Sequence, residues 1–504
     1  MAMTLGTLAT ALGAELKGDP WATVTYVSAD SRQAGPGCLF VAVRGTSGDG
    51  HRWLSGALEA GCAAVAIEHS HDGEVAGPHM ILDSTRPVPA LAARLLNDTP
   101  DAGLRIAGVT GTNGKTTTAS LMRSMLTELV GPCGLLGTIR YETGLRSVSA
   151  PLTTPGGPEL YSALREMSTA GLQAVAMEVS SHALDQQRIA GLELDVAVLT
   201  NLSRDHLDYH GDLESYLAAK LRIVDLLQGD QRRKPVGVLA LNADDPAFAA
   251  VAPPGIHTWR WSTGWRGHPG CQPDVRLADC NLRPDGTTLV LDIRGTRVDV
   301  ESALVGRFNV ENICAALTAG VALGYPPEAC AQALGKAPQV AGRMEGFALP
   351  NGAVAVVDYA HTPDALEAVL ASCRELTDGR LIVVFGCGGD RDRGKRALMG
   401  AIAARDADET WVTSDNPRSE DPGAICAEII AGYRGVSGTA RPCRLEVQRS
   451  DAILGALAVS ESGDVVVIAG KGHEDYQIIG DQRLDFDDRM IVRDWIKARE
   501  DDLA

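Results

Sequence analysis

The chain has 504 residues, 45% of them hydrophobic and 22% charged, with a formal net charge of −18. That length holds about three domains, the composition suits a globular protein with a sizeable core, and the acidic balance argues against nucleic acid as a partner. No run approaches the ~20 apolar residues of a membrane span, the N-terminal stretch lacks the basic and apolar regions of a signal peptide, and the eleven cysteines include no CxxC pair, so neither a zinc cage nor a disulfide framework is expected and the thiols read as those of a cytoplasmic protein.

Residues 1–100 mix short apolar strands at 38–43 and 62–68 with a helical stretch at 84–97, the pattern of a small α/β unit. The segment 97–101, polar and holding Pro100, reads as a linker. From Leu104 the order is strand, glycine-rich turn, helix. Apolar runs then recur at 173–179, 195–200 and 236–241 with helical segments between them, which predicts a parallel, doubly wound sheet. Between 270 and 305 short alternating strands predict an antiparallel patch. A further unit starts near Val340, with apolar runs at 354–358, 380–385, 409–412 and 464–469. The expected class is α/β in three domains: 1–102, small; 103–340, a central P-loop domain with a parallel sheet; and 341–504, Rossmann-like.

Gly111, Thr112, Asn113, Gly114, Lys115, Thr116 and Thr117 form the turn and helix start after the strand at 104–110. Glycine lets the backbone approach phosphate, and the helix N-terminus favours anions. Lys115 would reach the β- and γ-phosphates of ATP, and Thr116 would contribute a hydroxyl to Mg²⁺. The generic phosphate-loop pattern has another glycine at the position of Val109, so the match to it is imperfect.

TGTNGKTT (110–117) is similar to the loop of the Mur ligases and their folate-ligase relatives. AMEVSSHALDQQR (176–188), TNLSRDHLDYHG (200–211), YLAAK (216–220), GRFNVENICAA (306–316), GRMEGF (342–347), DYAHTPDAL (358–366), FGCGGDRDRGKR (385–396), SDNPRSEDP (414–422) and GKGHEDYQ (470–477) follow in the family's order. The resemblance spans almost the whole chain.

It implies specific roles. Glu178 and His206, with Thr116, would hold one of two Mg²⁺ ions. Lys220, a solvated helix lysine by its sequence alone, would be carbamylated by CO₂ into a long carboxylate that holds the other. That step needs a neutral amine, hence a lowered pKa. Asn309, Arg343, Asp358 and His361 would contact the nucleotide, as would Asn312 unless the two asparagines only cap their helix. Lys115, Arg343 and the metal ligands would form the catalytic set. Ser31, Thr46, Ser47 and Gly48 would meet the uridine diphosphate, and Thr153, Thr154, Ser180, Gln186 and Arg188 the sugar-peptide. Leu152 stands where family members often have Asn.

Arg391, Asp415, Asn416, Pro417, Arg418, Gly470 and Glu474 would select an amino acid. A second amino-acid head group calls for a bidentate cation and an anion. DNPR (415–418) resembles the version that selects meso-diaminopimelate. The implied function is ATP-dependent addition of meso-diaminopimelate to the D-glutamyl γ-carboxylate of UDP-MurNAc-L-Ala-D-Glu, in the cytoplasm, by a monomer making cell-wall precursor. The implied mechanism runs through an acyl phosphate, with the hinge near 340–342 closing the site. A lysine-adding or dipeptide-adding relative, a folylpolyglutamate synthase and a nucleotide-binding regulator are the rival readings.

Overall fold

The computed structural model describes residues 2–45, 48–230, 232–265, 272–436 and 441–503. They form two compact units. The first comprises Met1–Arg276, Ile293–Gly295 and Asn312–Ala333; the second comprises Leu277–Asp292, Thr296–Glu311 and Leu334–Ala504.

The first unit opens with a five-stranded sheet in the order Glu15–Lys17, His79–Leu82, Ala64–Glu68, Cys38–Val41, Tyr26–Ser28. Only the Glu15–Lys17 edge is antiparallel. The next sheet runs in the order Ser147–Ser149, Arg140–Glu142, Cys133–Leu136, Ala174–Glu178, Arg105–Thr110, Val196–Leu199, Val238–Asn242, Thr258–Ser262. It is parallel from Cys133–Leu136 onward. Strands buried on both faces read as continuous apolar runs, which is why these segments stood out. The short pair at the other edge is antiparallel, because hairpin links leave no room for a crossover.

Both sheets share one hydrophobic core, from Leu5 and Leu8 through Val88 and Leu96 to Leu160, Val175, Leu199 and Phe248. The helices Val88–Leu96 and Gly157–Thr169 cross so closely that a Cβ on Gly157 would lie 2.5 Å from Ala90 Cα. The segment expected as a linker is part of this packing. Asp101 is fully buried and accepts two hydrogen bonds from Arg94 Nε at 3.0 Å, while Arg94 Nη2 reaches Glu193 Oε1 at 2.6 Å. Its polarity serves a buried ion-pair network rather than a solvated connection.

The expected antiparallel patch is a meander of Val275–Arg283, Gly286–Ile293 and Thr296–Ser302. Its links have two residues, Pro284–Asp285 and Arg294–Gly295, and the second has positive φ at both positions. The chain passes between the two units within this meander.

The second unit holds a six-stranded sheet, ordered Glu345–Ala348, Val354–Asp358, Val465–Ala469, Leu381–Phe385, Glu409–Val412, Cys443–Leu445, antiparallel only at its first pair. Pro363–Arg374, Gly394–Asp406 and Pro422–Arg434 contribute to the core on one face, Arg449–Val459 and Asp488–Leu503 to that on the other. Arg449 and Asp488 form a bidentate ion pair at 2.8 and 2.6 Å, with both side chains fully buried. Asp488→Ala leaves that guanidinium unpaired, so urea unfolding of the purified chain should show a loss of about 3–5 kcal/mol. A loss below about 1 kcal/mol would mean that water replaces the carboxylate.

Candidate active site

The strand Arg105–Thr110 lies between Ala174–Glu178 and Val196–Leu199, and the chain order reverses about it. Ligands bind at such switch points, beyond the carboxyl ends of the strands. Gly111 leaves the strand with φ 154° where a Cβ would fall 1.9 Å from Thr200 Oγ1. Gly114, at φ 84°, precedes the helix Lys115–Leu129 and would set a Cβ 2.4 Å from Asn312 Oδ1. Both positions therefore require glycine. Lys115 Nζ folds back onto the carbonyls of Gly111 and Thr112, each at 2.8 Å. The Asn113 amide donates to Asn201 Oδ1 at 2.9 Å, and Thr112 Oγ1 lies 3.4 Å from the Tyr216 hydroxyl. Thr117 is buried in the first turn of the helix.

Glu178 ends the neighbouring strand and is 1% exposed. Its Oε2 accepts from Thr116 Oγ1 at 3.0 Å and Thr138 Oγ1 at 3.0 Å, and its Oε1 from the Thr138 amide at 2.7 Å. Thr138 was not apparent from the sequence, since nothing local marks it as this carboxylate's partner. Thr138 Oγ1 also meets Thr153 Oγ1 at 3.1 Å. Thr154 donates to the Glu178 carbonyl at 2.9 Å and accepts from the Ser180 amide at 2.9 Å, while Arg188 Nη1 reaches the Thr154 carbonyl at 3.0 Å. Gln186 donates to the Tyr209 hydroxyl at 3.1 Å. Thr153, Thr154, Ser180 and Arg188 thus form one network with Glu178. Leu152 is half exposed, and its carbonyl accepts from the Tyr141 hydroxyl at 2.5 Å.

Lys220 lies on the helix Leu213–Leu221, yet it is 1% exposed and makes no ion pair among the described residues. Its Nζ sits 4.1 Å from the centre of the Tyr216 ring. Burial, reinforced by the Lys115 ammonium, pushes its amine well below the ordinary lysine range against a smaller pull from Asp205. His206 has φ 52° and packs with rings: His182 at 4.9 Å and Tyr216 at 6.2 Å between centres. His182 and His210 are both held below the usual histidine range, chiefly by burial.

Ser31 and Gly48 follow the adjacent parallel strands Tyr26–Ser28 and Cys38–Val41. Thr46 and Ser47 lie outside the described residues. Asn312 accepts from Thr118 Oγ1 at 3.2 Å beside Gly114, so it belongs to the phosphate loop's surroundings.

In the second unit, Asn309 donates to the Val305 carbonyl at 2.9 Å. Arg343 lies 4.7 Å from the Tyr359 ring centre, and its buried Nε has no hydrogen-bond partner among the described residues. Asp358 accepts from the amides of Met344 and Ala360 at 2.8 Å each, and burial raises its carboxyl above the ordinary range. His361 Nδ1 pairs with the Tyr359 carbonyl at 2.8 Å. The segment Asp415, Asn416, Pro417, Arg418 is joined to the hairpin Tyr476–Ile479 and Gln482–Asp485: Gln477 donates to the Asp415 carbonyl at 2.6 Å and the Ile478 amide to Asn416 Oδ1 at 2.9 Å. Asn416 Nδ2 donates to Glu474 Oε2 at 2.9 Å, and Arg418 Nη1 to the Gly389 carbonyl at 2.8 Å. Gly470, at φ 117°, donates its amide to the Asp358 carbonyl at 3.1 Å. Arg391 is exposed on the neighbouring loop.

A glycine-rich loop closing on a helix N-terminus at a sheet's switch point is the anion cradle of a P-loop α/β protein. Three family models match the chain in succession: the Mur ligase family catalytic domain over 23–100, the Mur ligase middle domain over 109–320 and the Mur ligase glutamate ligase domain over 342–472. The chain is 42% identical to a UDP-N-acetylmuramoyl-L-alanyl-D-glutamate–2,6-diaminopimelate ligase of Geobacter metallireducens, with 92% of each chain covered. It is 43% identical to the protein of that name from Gloeobacter violaceus, with 99% of each covered. A solved structure of a ligase of the same name superposes with a TM-score of 0.72 at 33% identity, covering 99% of this chain and 100% of that one. A Thermotoga maritima MurF ligase in complex with ADP, 18% identical, shares the fold at a TM-score of 0.60 over 95% of this chain and 99% of its own. The chain belongs to the Mur ligase family, whose members are ligases.

The burial of Lys220 makes a stability prediction. The folded chain gives up this proton at a lower pH than the unfolded chain does, so stability linked to Lys220 rises with pH from the lowered folded pKa up to that of the unfolded chain. In CO₂-free buffer at neutral pH, Lys220→Met should be more stable than the parent by about 1–3 kcal/mol. The gap should narrow as pH rises. A methionine variant less stable at every pH would contradict the desolvated, unpaired amine.

Proposed function

We propose that this ligase uses ATP to join meso-diaminopimelate to the D-glutamyl γ-carboxylate of UDP-MurNAc-L-Ala-D-Glu, a step of peptidoglycan precursor synthesis. The observation that carries the amino-acid assignment is the junction of 415–418 with Glu474, which sets an anion 2.9 Å from Asn416 on a loop that also bears Arg418. An amino-acid head group needs an anion for its ammonium and a forked cation for its carboxylate.

A carboxylate is a poor acylating agent at neutral pH. Transfer of the γ-phosphoryl group of ATP to it makes an acyl phosphate and releases ADP. The free amine of diaminopimelate then attacks the acyl carbon, the tetrahedral adduct expels phosphate, and the amine loses a proton. Gly111–Thr117 would cradle the ATP phosphates, Lys115 turning from its loop carbonyls to the β- and γ-phosphates. Arg343 is the proposed further cation for the transferred phosphoryl group. Asn309, Asp358 and His361 are proposed contacts of the nucleoside. Ser31 and the 46–48 loop would take the uridine diphosphate, and the network of Thr153, Thr154, Ser180, Gln186 and Arg188 the sugar-peptide. The work of these groups is positioning and charge stabilisation.

Among the described residues no group of three or more His, Cys, Asp or Glu is placed to hold a metal by itself. The Thr116 hydroxyl and Glu178 carboxylate nevertheless fit Mg²⁺, which takes a few hard protein oxygens and completes its shell with phosphate and water. Bound there with His206, and with carbamylated Lys220 for a second ion, Mg²⁺ would neutralise charge on the transferred phosphoryl group. The neutral amine of Lys220 is the form that attacks CO₂ to make a carbamate. The ten described cysteines are all free thiols, which suits work in a reducing cytoplasm, and a monomer is the proposed state.

Phosphate release from ATP should require UDP-MurNAc-L-Ala-D-Glu and meso-diaminopimelate together, and L-lysine should not replace the latter. Release with lysine alone would keep the ligase chemistry and remove the specificity. Release with neither would remove the proposed acceptor.

A further inference from the structure

GKGHE (470–474) contributes Gly470 and Glu474 to the proposed amino-acid site, and between them it carries a lysine for which phosphate contact supplies no role. Lys471 is fully buried. Its Nζ lies 3.1 Å from Asn416 Oδ1, 3.3 Å from Glu474 Oε2 and 3.4 Å from Asp415 Oδ1. An ammonium has three protons to donate, and here it finds three oxygens drawn from two segments more than fifty residues apart. Glu474 Oε2 also takes the Asn416 Nδ2 proton at 2.9 Å, and Asn416 Oδ1 also takes the Ile478 amide proton. The backbone holds the lysine in place. Gly470 and Gly472 flank it at φ 117° and 52°, and a Cβ on Gly472 would lie 2.7 Å from the Gly342 carbonyl oxygen. Arg449, another buried cation of this unit, is committed to Asp488.

We infer that Lys471 is the positioning residue of the amino-acid site, fixing Asn416 and Glu474 from behind and setting the charge they present. This rests on the reading that 415–418 and Glu474 bind the amino acid. With no exposed surface, the ammonium acts through these two side chains and does not touch substrate. Asp415 and Glu474 both bring a carboxylate to the Lys471 ammonium, which offsets part of their charge. Without Lys471 that offset is lost, the Asn416 amide oxygen loses a donor, and the more negative site favours a bare ammonium. L-lysine, whose distal ammonium has no carboxylate beside it, is then the ligand that gains.

The test is steady-state phosphate release by the full-length chain, varying ATP, UDP-MurNAc-L-Ala-D-Glu, meso-diaminopimelate and L-lysine in turn. Lys471→Met should raise the KM for diaminopimelate about 30-fold, the scale of a lost charged hydrogen bond, with the KM for ATP changed less than about twofold. The preference for diaminopimelate over lysine should fall about tenfold. Lys471→Arg keeps the charge and should recover most of both. Because the lysine works through Glu474 and Asn416, adding Lys471→Met to Glu474→Gln should cost clearly less than the sum of the two single variants. An unchanged diaminopimelate KM in Lys471→Met, equal rises in all KM values, or full additivity in the double variant would overturn the assignment. Should the methionine variant not fold, Lys471→Gln decides, since a KM rise confined to diaminopimelate supports the role and an unselective rise, or none, refutes it. A parent chain that releases no phosphate with diaminopimelate would overturn the underlying reading itself, an outcome separate from any result with the variants.

Discussion

The register of two parallel strands governs the first unit's chemistry. Ala174–Glu178 pairs residue by residue with Arg105–Val109, so the carboxylate that ends one strand arrives beside the loop that ends the other. The 3.0 Å contact between Thr116 and Glu178 follows from that pairing. A one-residue slip would turn Glu178 toward the opposite face of the sheet. Such a slip is costly because both strands are packed on both faces, and a strand so enclosed has only one arrangement of its side chains that fits.

The two units each bury a lysine, and the contrast shows how surroundings decide function. Lys471 is fully enclosed and has three oxygen partners. Lys220 is equally enclosed but faces an aromatic ring and the repulsion of Lys115. The first environment offers the side chain hydrogen-bond acceptors, and the second disfavours charge. A single residue type thus meets three oxygen acceptors in one place and a desolvating pocket in the other, the surroundings that the two proposed roles, counter-ion and nucleophile, call for.

Much of this was legible in the sequence. The strand–loop–helix at 104–122, the alternation of apolar runs and the loops at 415–418 and 470–474 follow from local pattern, because turns and helix starts are specified by near neighbours. What escaped was pairing between distant residues. Asp101 looked like part of a polar linker, yet it anchors Arg94 in a buried network. Thr138 gave no sign that it would meet Glu178, forty residues away, and nothing local marked Lys471 as a partner of Asp415 and Asn416. His206 was grouped with Glu178 by resemblance; the structure describes it through the rings of His182 and Tyr216, contacts that no spacing rule encodes.

The close crossing of Val88–Leu96 over Gly157–Thr169 has a consequence for folding. The sequence divides naturally near residue 100, and a family model ends there. The apolar side chains on either side of that division nevertheless belong to one core. A fragment beginning after residue 102 would present Leu160, Leu164 and their neighbours to water where the first hundred residues had covered them. The family boundary at residue 100 therefore falls inside a shared core, in which the first hundred residues cover apolar surface of the helices and strands that follow them.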